Sequence, residues 1–105
     1  MREGLEKLLA SGQDNALLRF GLGNAFLREE NHAAAAEHLS RAVEHNPQYS
    51  AAWKLLGKAW LALGERAKAE SAWQRGMQAA DANGDAQTAK EITVFLKRLH
   101  KEQPQ

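Results

Sequence analysis

Cysteine is absent from the chain, which excludes disulfides, thiolate catalysis and any cysteine-ligated zinc or iron–sulfur site. β-Branched residues number only five, Val43, Val94, Ile92, Thr88 and Thr93. Strands favour those residue types, so a β-rich fold is excluded. No window approaches the ~18 apolar residues of a membrane-spanning helix. An excess of either charge is missing too, with 14 Lys+Arg against 13 Asp+Glu. Net charge therefore announces neither a polyanion binder nor an acidic disordered tail. The opening Met1-Arg2-Glu3-Gly4-Leu5-Glu6-Lys7 places charges where a signal peptide needs an apolar stretch. No Asn-x-Ser/Thr sequon occurs, and the compartment expected is the cytoplasm.

What is abundant is alanine and leucine, which together supply 34 of 105 residues. Such a chain reads as one small helical domain. Shifted by 34 residues it falls on itself: Leu22 on Leu56, Gly23 on Gly57, Ala25 on Ala59 and Phe26 on Trp60, then Ala35 on Ala69, Leu39 on Trp73 and Val43 on Met77. The turn Glu29-Glu30-Asn31 falls on Leu63-Gly64-Glu65. Apolar and small positions stay in register while polar ones vary, which is the signature of a structural repeat.

Each unit reads as two helices. Asp14 or Asn15 can cap the first, which runs to about Glu29, and Asn31 opens the second, which Asn46-Pro47 stops. The next unit repeats this from Tyr49, breaks at Gly64 and stops at Asn83-Gly84. Asp85 can cap a last helix whose Ala89, Ile92, Leu96 and Leu99 form one stripe. A short opening helix, about Arg2 to Ala10, carries Leu5, Leu8 and Leu9 on one side.

The pattern Trp53-x-x-Leu56-Gly57-x-x-Trp60, Gly64, Ala69, Trp73 resembles the tetratricopeptide repeat, and Leu22-Gly23, Phe26, Ala35, Leu39, Ala42 and Pro47 match it in the first unit. The resemblance implies an all-α, right-handed helical-hairpin solenoid of about six helices within one domain, 1–105. Residues 16–49 and 50–83 are expected as repeats, with a capping helix at 2–11, another at 85–101, and a tail at 102–105. The departures are Arg19 in the first aromatic position, Glu30 for the turn glycine, Asp81 for the closing proline and Gly76 for a small alanine. Arg19 suits an array end, where less of a neighbour covers it. The flanking helices suit the need of a solenoid to cover its terminal apolar faces. Ile92 takes the repeat's leucine role once two extra residues are allowed in the preceding loop.

Chemistry is sparse. Gly21-Leu22-Gly23-Asn24 lies inside a helix and follows no strand, so it is not a phosphate loop. His38 and His45 share a helix face but stand ~10 Å apart along the axis, too far to ligate one zinc. His32, His38, His45 and His100 are expected to face solvent, with no metal and no cofactor. Trp60 and Trp73 are expected in the core, and Trp53 partly exposed between repeats. No acid–base or nucleophile constellation is present, so the chain is read as no enzyme.

In the family that the pattern resembles, ligands lie on the concave face of the first helices. The corresponding positions are Leu17, Phe20, Asn24, Leu27 and Arg28, then Ala51, Lys54, Lys58, Leu61 and Ala62, then Gln87, Lys90, Val94, Lys97 and Arg98. The site expected from these is Leu17, Phe20, Asn24, Arg28, Lys54, Lys58, Leu61, Lys90 and Lys97, with Glu91 the one nearby acid. Residues 50–105 hold nine basic and six acidic residues, against five and seven in 1–49, so a near-neutral chain can hold a basic groove. The family's full carboxylate clamp is not implied, since only Asn24 matches it while Phe20 and Leu55 replace two of its residues. The function expected is an adaptor that binds an acidic peptide or partner segment in the groove. The alternative is a self-associating module, a homodimer without peptide ligand. Neither nucleic acid nor membrane is expected as a partner.

Overall fold

In the computed structural model, residues 2–102 are described. They form six helices in chain order: α1 Arg2–Ala10, α2 Ala16–Arg28, α3 His32–His45, α4 Ser50–Ala62, α5 Arg66–Asn83 and α6 Ala86–Glu102. No strand occurs among the described residues. Residues 103–105 of the expected tail lie outside them, and Glu102 belongs to α6 rather than to the tail.

Local chemistry sets the helix ends. Asn15 accepts from the Leu18 amide at 2.8 Å and Asn31 from that of Ala34 at 3.2 Å, each satisfying a first-turn N–H that the helix cannot. At the far end of α5, Gly84 takes a left-handed φ of 69° and the Asp85 amide donates to the Ala80 carbonyl at 2.8 Å, the αL closure that glycine allows. Asp85 then accepts from the Thr88 amide (3.1 Å) and the Ser50 hydroxyl (2.7 Å), tying the start of α6 to the start of α4. The Thr88 side chain first, then the Ser50 hydroxyl and the Thr88 amide, hold its carboxyl below the usual range.

Packing is strongest within the hairpins α2–α3 and α4–α5, and each helix also packs on the next along the chain. Two further pairs touch, α2 with α4 and α4 with α6, whereas α3 and α5 do not. The row α2–α4–α6 is therefore the tighter, inner face of a solenoid measuring 48 × 29 × 19 Å. Leu22 (0%), Leu56 (4%) and Ile92 (0%) are buried at equivalent points of the three inner helices. Leu39 and Trp73, at 0% and 1%, do the same for α3 and α5.

Close approach inside each hairpin depends on a missing side chain. A Cβ on Gly57 would collide with the indole of Trp73, which lies over the α4 backbone and donates to the Lys54 carbonyl at 3.0 Å. One repeat earlier, Gly23 faces the Leu39 side chain in the same way.

Two expectations are corrected. Trp60 is half-buried, because it bridges the two core clusters at their boundary with Lys68 4.6 Å above its ring. Arg19 is well covered, its side chain only 13% exposed. Asp14 makes this tolerable by binding the guanidinium at 2.8 and 2.9 Å. That partner compensates the cost of placing a cation where the repeat has an aromatic.

The turn between α2 and α3 stores strain. Glu30 has a φ of 60°, whereas its counterpart Gly64 has 81°; the left-handed region costs an L-residue ~1–2 kcal/mol. Glu30→Gly is expected to stabilise the protein modestly, and Gly64→Ala to destabilise it by about 1 kcal/mol. Urea titrations of both variants measure the two signs. For Gly57→Ala, overpacking against a rigid indole predicts a loss of ~1–3 kcal/mol despite alanine's better helix propensity. Gly23→Ala, which meets a flexible leucine, is expected to lose less. Thermal melts of the pair report the order.

Candidate functional site

The inner face carries two adjoining hollows between α4 and α6. One, of about 360 Å³, lies among Lys54, Leu55, Lys58, Glu91, Val94, Phe95 and Arg98. The other, of about 320 Å³, lies among Lys58, Leu61, Ala62, Trp73, Phe95, Arg98, Leu99 and Glu102. Lys58, Phe95 and Arg98 are common to both, so they form the ridge between them. Helical spacing explains the set: Lys54, Lys58 and Leu61 follow one face of α4, and Glu91, Phe95 and Arg98 follow the facing stripe of α6.

Charge on this face is unevenly committed. Lys54 Nζ lies 2.7 Å from Glu91 Oε1, and Gln87 donates to Glu91 Oε2 at 3.2 Å. Lys54 first, and then Gln87, hold the Glu91 carboxyl below the usual range. Lys58 and Arg98, by contrast, make no ion pair among the described residues. The Lys58 ammonium instead stands 5.7 Å from the Phe95 ring centroid, an attractive cation–π placement. Phe95 in turn lies 5.3 Å from Trp73, tilted by 36°, and Leu99 is 2% exposed. The second hollow thus has an aromatic and aliphatic floor with two cations on its rim.

The remaining expected site residues are dispersed. Lys90 faces away from Lys54 and Lys58, into a hollow formed with Met77, Gln78, Asp81 and Ala89 at the open α5–α6 end. Leu17 is 72% exposed and lies near Leu5, Leu8 and Leu18 beside α1. Phe20 is half-buried and stacks on Tyr49 at 4.9 Å, so its ring already has a partner. Asn24 is half-buried, and Arg28 and Lys97 are exposed; none of the three lines the α4–α6 hollows. Phe95 was not among the expected residues, although it is the lone aromatic of α6 and follows the expected Val94 directly.

Two stretches, residues 2–49 and 20–85, match the sequence profile of the tetratricopeptide repeat. The chain belongs to the tetratricopeptide-repeat family. It is 58% identical over 99 residues to TPR repeat-containing protein PA0015 of Pseudomonas aeruginosa, covering 94% of each chain. The solution structure of protein BPP2914 from Bordetella parapertussis matches with a TM-score of 0.83 and 48% identity, over 97% of this chain and 89% of that one. The crystal structure of MamA matches with a TM-score of 0.69 and 23% identity, over 95% of this chain and 65% of that one, a likeness of fold alone. Tetratricopeptide-repeat membership identifies an interaction scaffold, and no helix of the described residues is long and apolar enough to cross a membrane.

The histidines of this tetratricopeptide-repeat chain do not all face solvent. His45 and His100 are exposed and bond Asp14 (3.0 Å) and Glu70 (2.8 Å). His38 instead lies flat on Phe26, with ring centroids 5.4 Å apart and planes 2° apart, and its Nδ1 is 3.0 Å from Arg19 Nη1. The apolar ring of Phe26 draws the imidazole in, and Arg19 gives its nitrogen a donor. No group of three His, Asp or Glu among the described residues could hold a metal ion.

Burial first, and then the Arg19 cation, hold the His38 pKa below the ordinary imidazole value of 6.5. The unfolded chain takes up a proton near that value while the folded chain does not. Stability from this site is therefore fully present above the unfolded pKa and lost as pH falls through the folded one. The melting-temperature gap between wild type and His38→Gln is expected to narrow from about pH 7.5 to about pH 5. A gap constant with pH would contradict this.

Proposed function

We propose that this chain is a non-enzymatic adaptor that holds an acidic segment of a partner protein in the cytoplasm, against the α4–α6 part of its inner face. In this reading residues 16–49 and 50–83 are its two full repeats, with the flanking helices α1 and α6 as end caps. The observation that carries the proposal is the pair of adjoining hollows whose shared ridge holds two cations, Lys58 and Arg98, without an ion pair among the described residues, beside apolar Leu61, Phe95 and Leu99. Within these hollows Glu91 is held ionised by Lys54, the opposite of a general acid poised near neutrality. That supports binding over catalysis.

Magnitudes assign the roles. A half-exposed ion pair contributes ~0–1 kcal/mol, whereas a micromolar complex needs ~8 kcal/mol. Lys58 and Arg98 therefore select charge and steer approach, and the hollow must supply most of the affinity by burying apolar surface. Lys54, neutralised by Glu91, contributes least among the three cations.

Leu17, exposed at 72%, and Leu8, at 41%, favour a second reading in which two copies associate through the α1–α2 end. Light scattering separates the readings, since the 11.6 kDa chain would double its mass with rising concentration. For the adaptor, a photo-crosslinking benzoylphenylalanine replacing Leu61 is expected to form adducts with another protein in cell extract, and the same group replacing outer-face Arg41 is not. Equal labelling from both positions would sink the groove reading.

A further inference from the structure

The hollow among Leu61, Trp73, Phe95 and Leu99 has a size and a rim that define its occupant more narrowly. At about 320 Å³ it lies at the floor of the range for drug-sized ligands, which suits one or two side chains better than a cofactor. Its floor is closed by Trp73, whose indole is pinned to the Lys54 carbonyl at 3.0 Å, and by Leu99, whose carbonyl accepts from Arg66 Nη2 at 2.8 Å. The floor is therefore pre-formed and lowers the ordering cost of binding. Charge on the rim is polarised. Lys58 and Arg98 stand on the ridge towards the first hollow, while Glu102 is the acid of the second.

We infer that the hollow takes a single bulky apolar side chain, aromatic or leucine-like, from a partner segment whose adjacent residue is a carboxylate lying on Lys58 and Arg98. The proposal rests on the adaptor reading above and adds to it the residue pattern recognised. Charge complementarity carries it. Lys58 and Arg98 make no ion pair with another of the described residues, and Glu91, the acid of the neighbouring hollow, is occupied by Lys54. An incoming carboxylate supplies the missing partner at the edge of a low-dielectric floor. The apolar neighbour meanwhile covers half-buried Phe95, 5.7 Å from whose centroid the Lys58 ammonium stands.

Three acetylated, amidated peptides test this in an NMR titration of the full chain: Gly-Ser-Asp-Phe-Gly-Ser, the same with Lys for Asp, and the same with Ala for Phe. The Asp-Phe peptide is expected to shift amides at Lys58, Leu61, Phe95 and Arg98 and to bind about fivefold or more tightly than either control, the scale of two partly exposed ion pairs or one buried ring. In Lys58→Glu with Arg98→Glu the order of the Asp and Lys peptides is expected to invert, with the fold checked by an unchanged far-field amide spectrum. Equal binding of the Asp-Phe and Lys-Phe peptides at these amides would overturn the recognition pattern and leave the groove reading standing. Shifts confined to the α1–α2 end, or to the Met77 and Ala89 end, would overturn both.

Discussion

The structure depends on how closely the two helices of a hairpin approach. Trp73 can lie flat over α4 only because Gly57 presents bare backbone there, and Leu39 meets Gly23 by the same arrangement. A large buried side chain on the outer helix is thus set directly against the inner helix. Small residues complete the contact, since Ala35, Ala59 and Ala69 are each fully buried. Interiors are close-packed, so the spacing of one hairpin fixes where the next can sit. The high alanine content follows from that requirement rather than from helix propensity alone.

The same close approach positions the functional face. Because α4 is drawn down onto Trp73, the α4–α6 groove has an indole at its floor, and Phe95 packs against that indole from the other wall. In the proposed reading one residue, Trp73, therefore joins stability to recognition. Altering Trp73 would remove core and binding floor together, so the rim residues, which are exposed and packed against little, are the informative ones to change. The pairing of Ser50 with Asp85 and of Lys54 with Glu91 fixes α6 against α4 at two heights along the groove, holding its walls at a set separation.

Much of the fold was legible because it rests on short-range rules. Asn15 and Asn31 cap where side-chain oxygens can reach first-turn amides, and Ile92 occupies the buried position that Leu22 and Leu56 occupy in their helices. The site was less legible because it depends on rotation about a helix axis. Successive residues are turned by about 100°, so the family's positions, carried onto a helix that follows a longer turn, point Lys90 to the open end while Glu91 and Phe95 face Lys54 and Lys58. Long-range pairing was legible in one place: Glu91 was expected near Lys54 and pairs with it. Nothing local in the sequence shows that His38 reaches Arg19.

These pairings decide which cations are available for binding. Composition counts every Lys and Arg equally, and on that count the second half of the chain is simply basic. Among them Lys54 is neutralised by Glu91, Lys68 and Arg75 are seated over the Trp60 and Trp53 rings, and Lys58 with Arg98 stand on the ridge between two hollows. An ammonium already paired gains little from a second carboxylate, since the first has repaid part of its desolvation and occupies its best geometry. In the proposed reading, selectivity for an acidic partner rests on two side chains and not on the net charge of a face. In that reading their value comes from their place beside Phe95 and Leu61, where an incoming carboxylate would be drawn partly out of water and its apolar neighbour fully so.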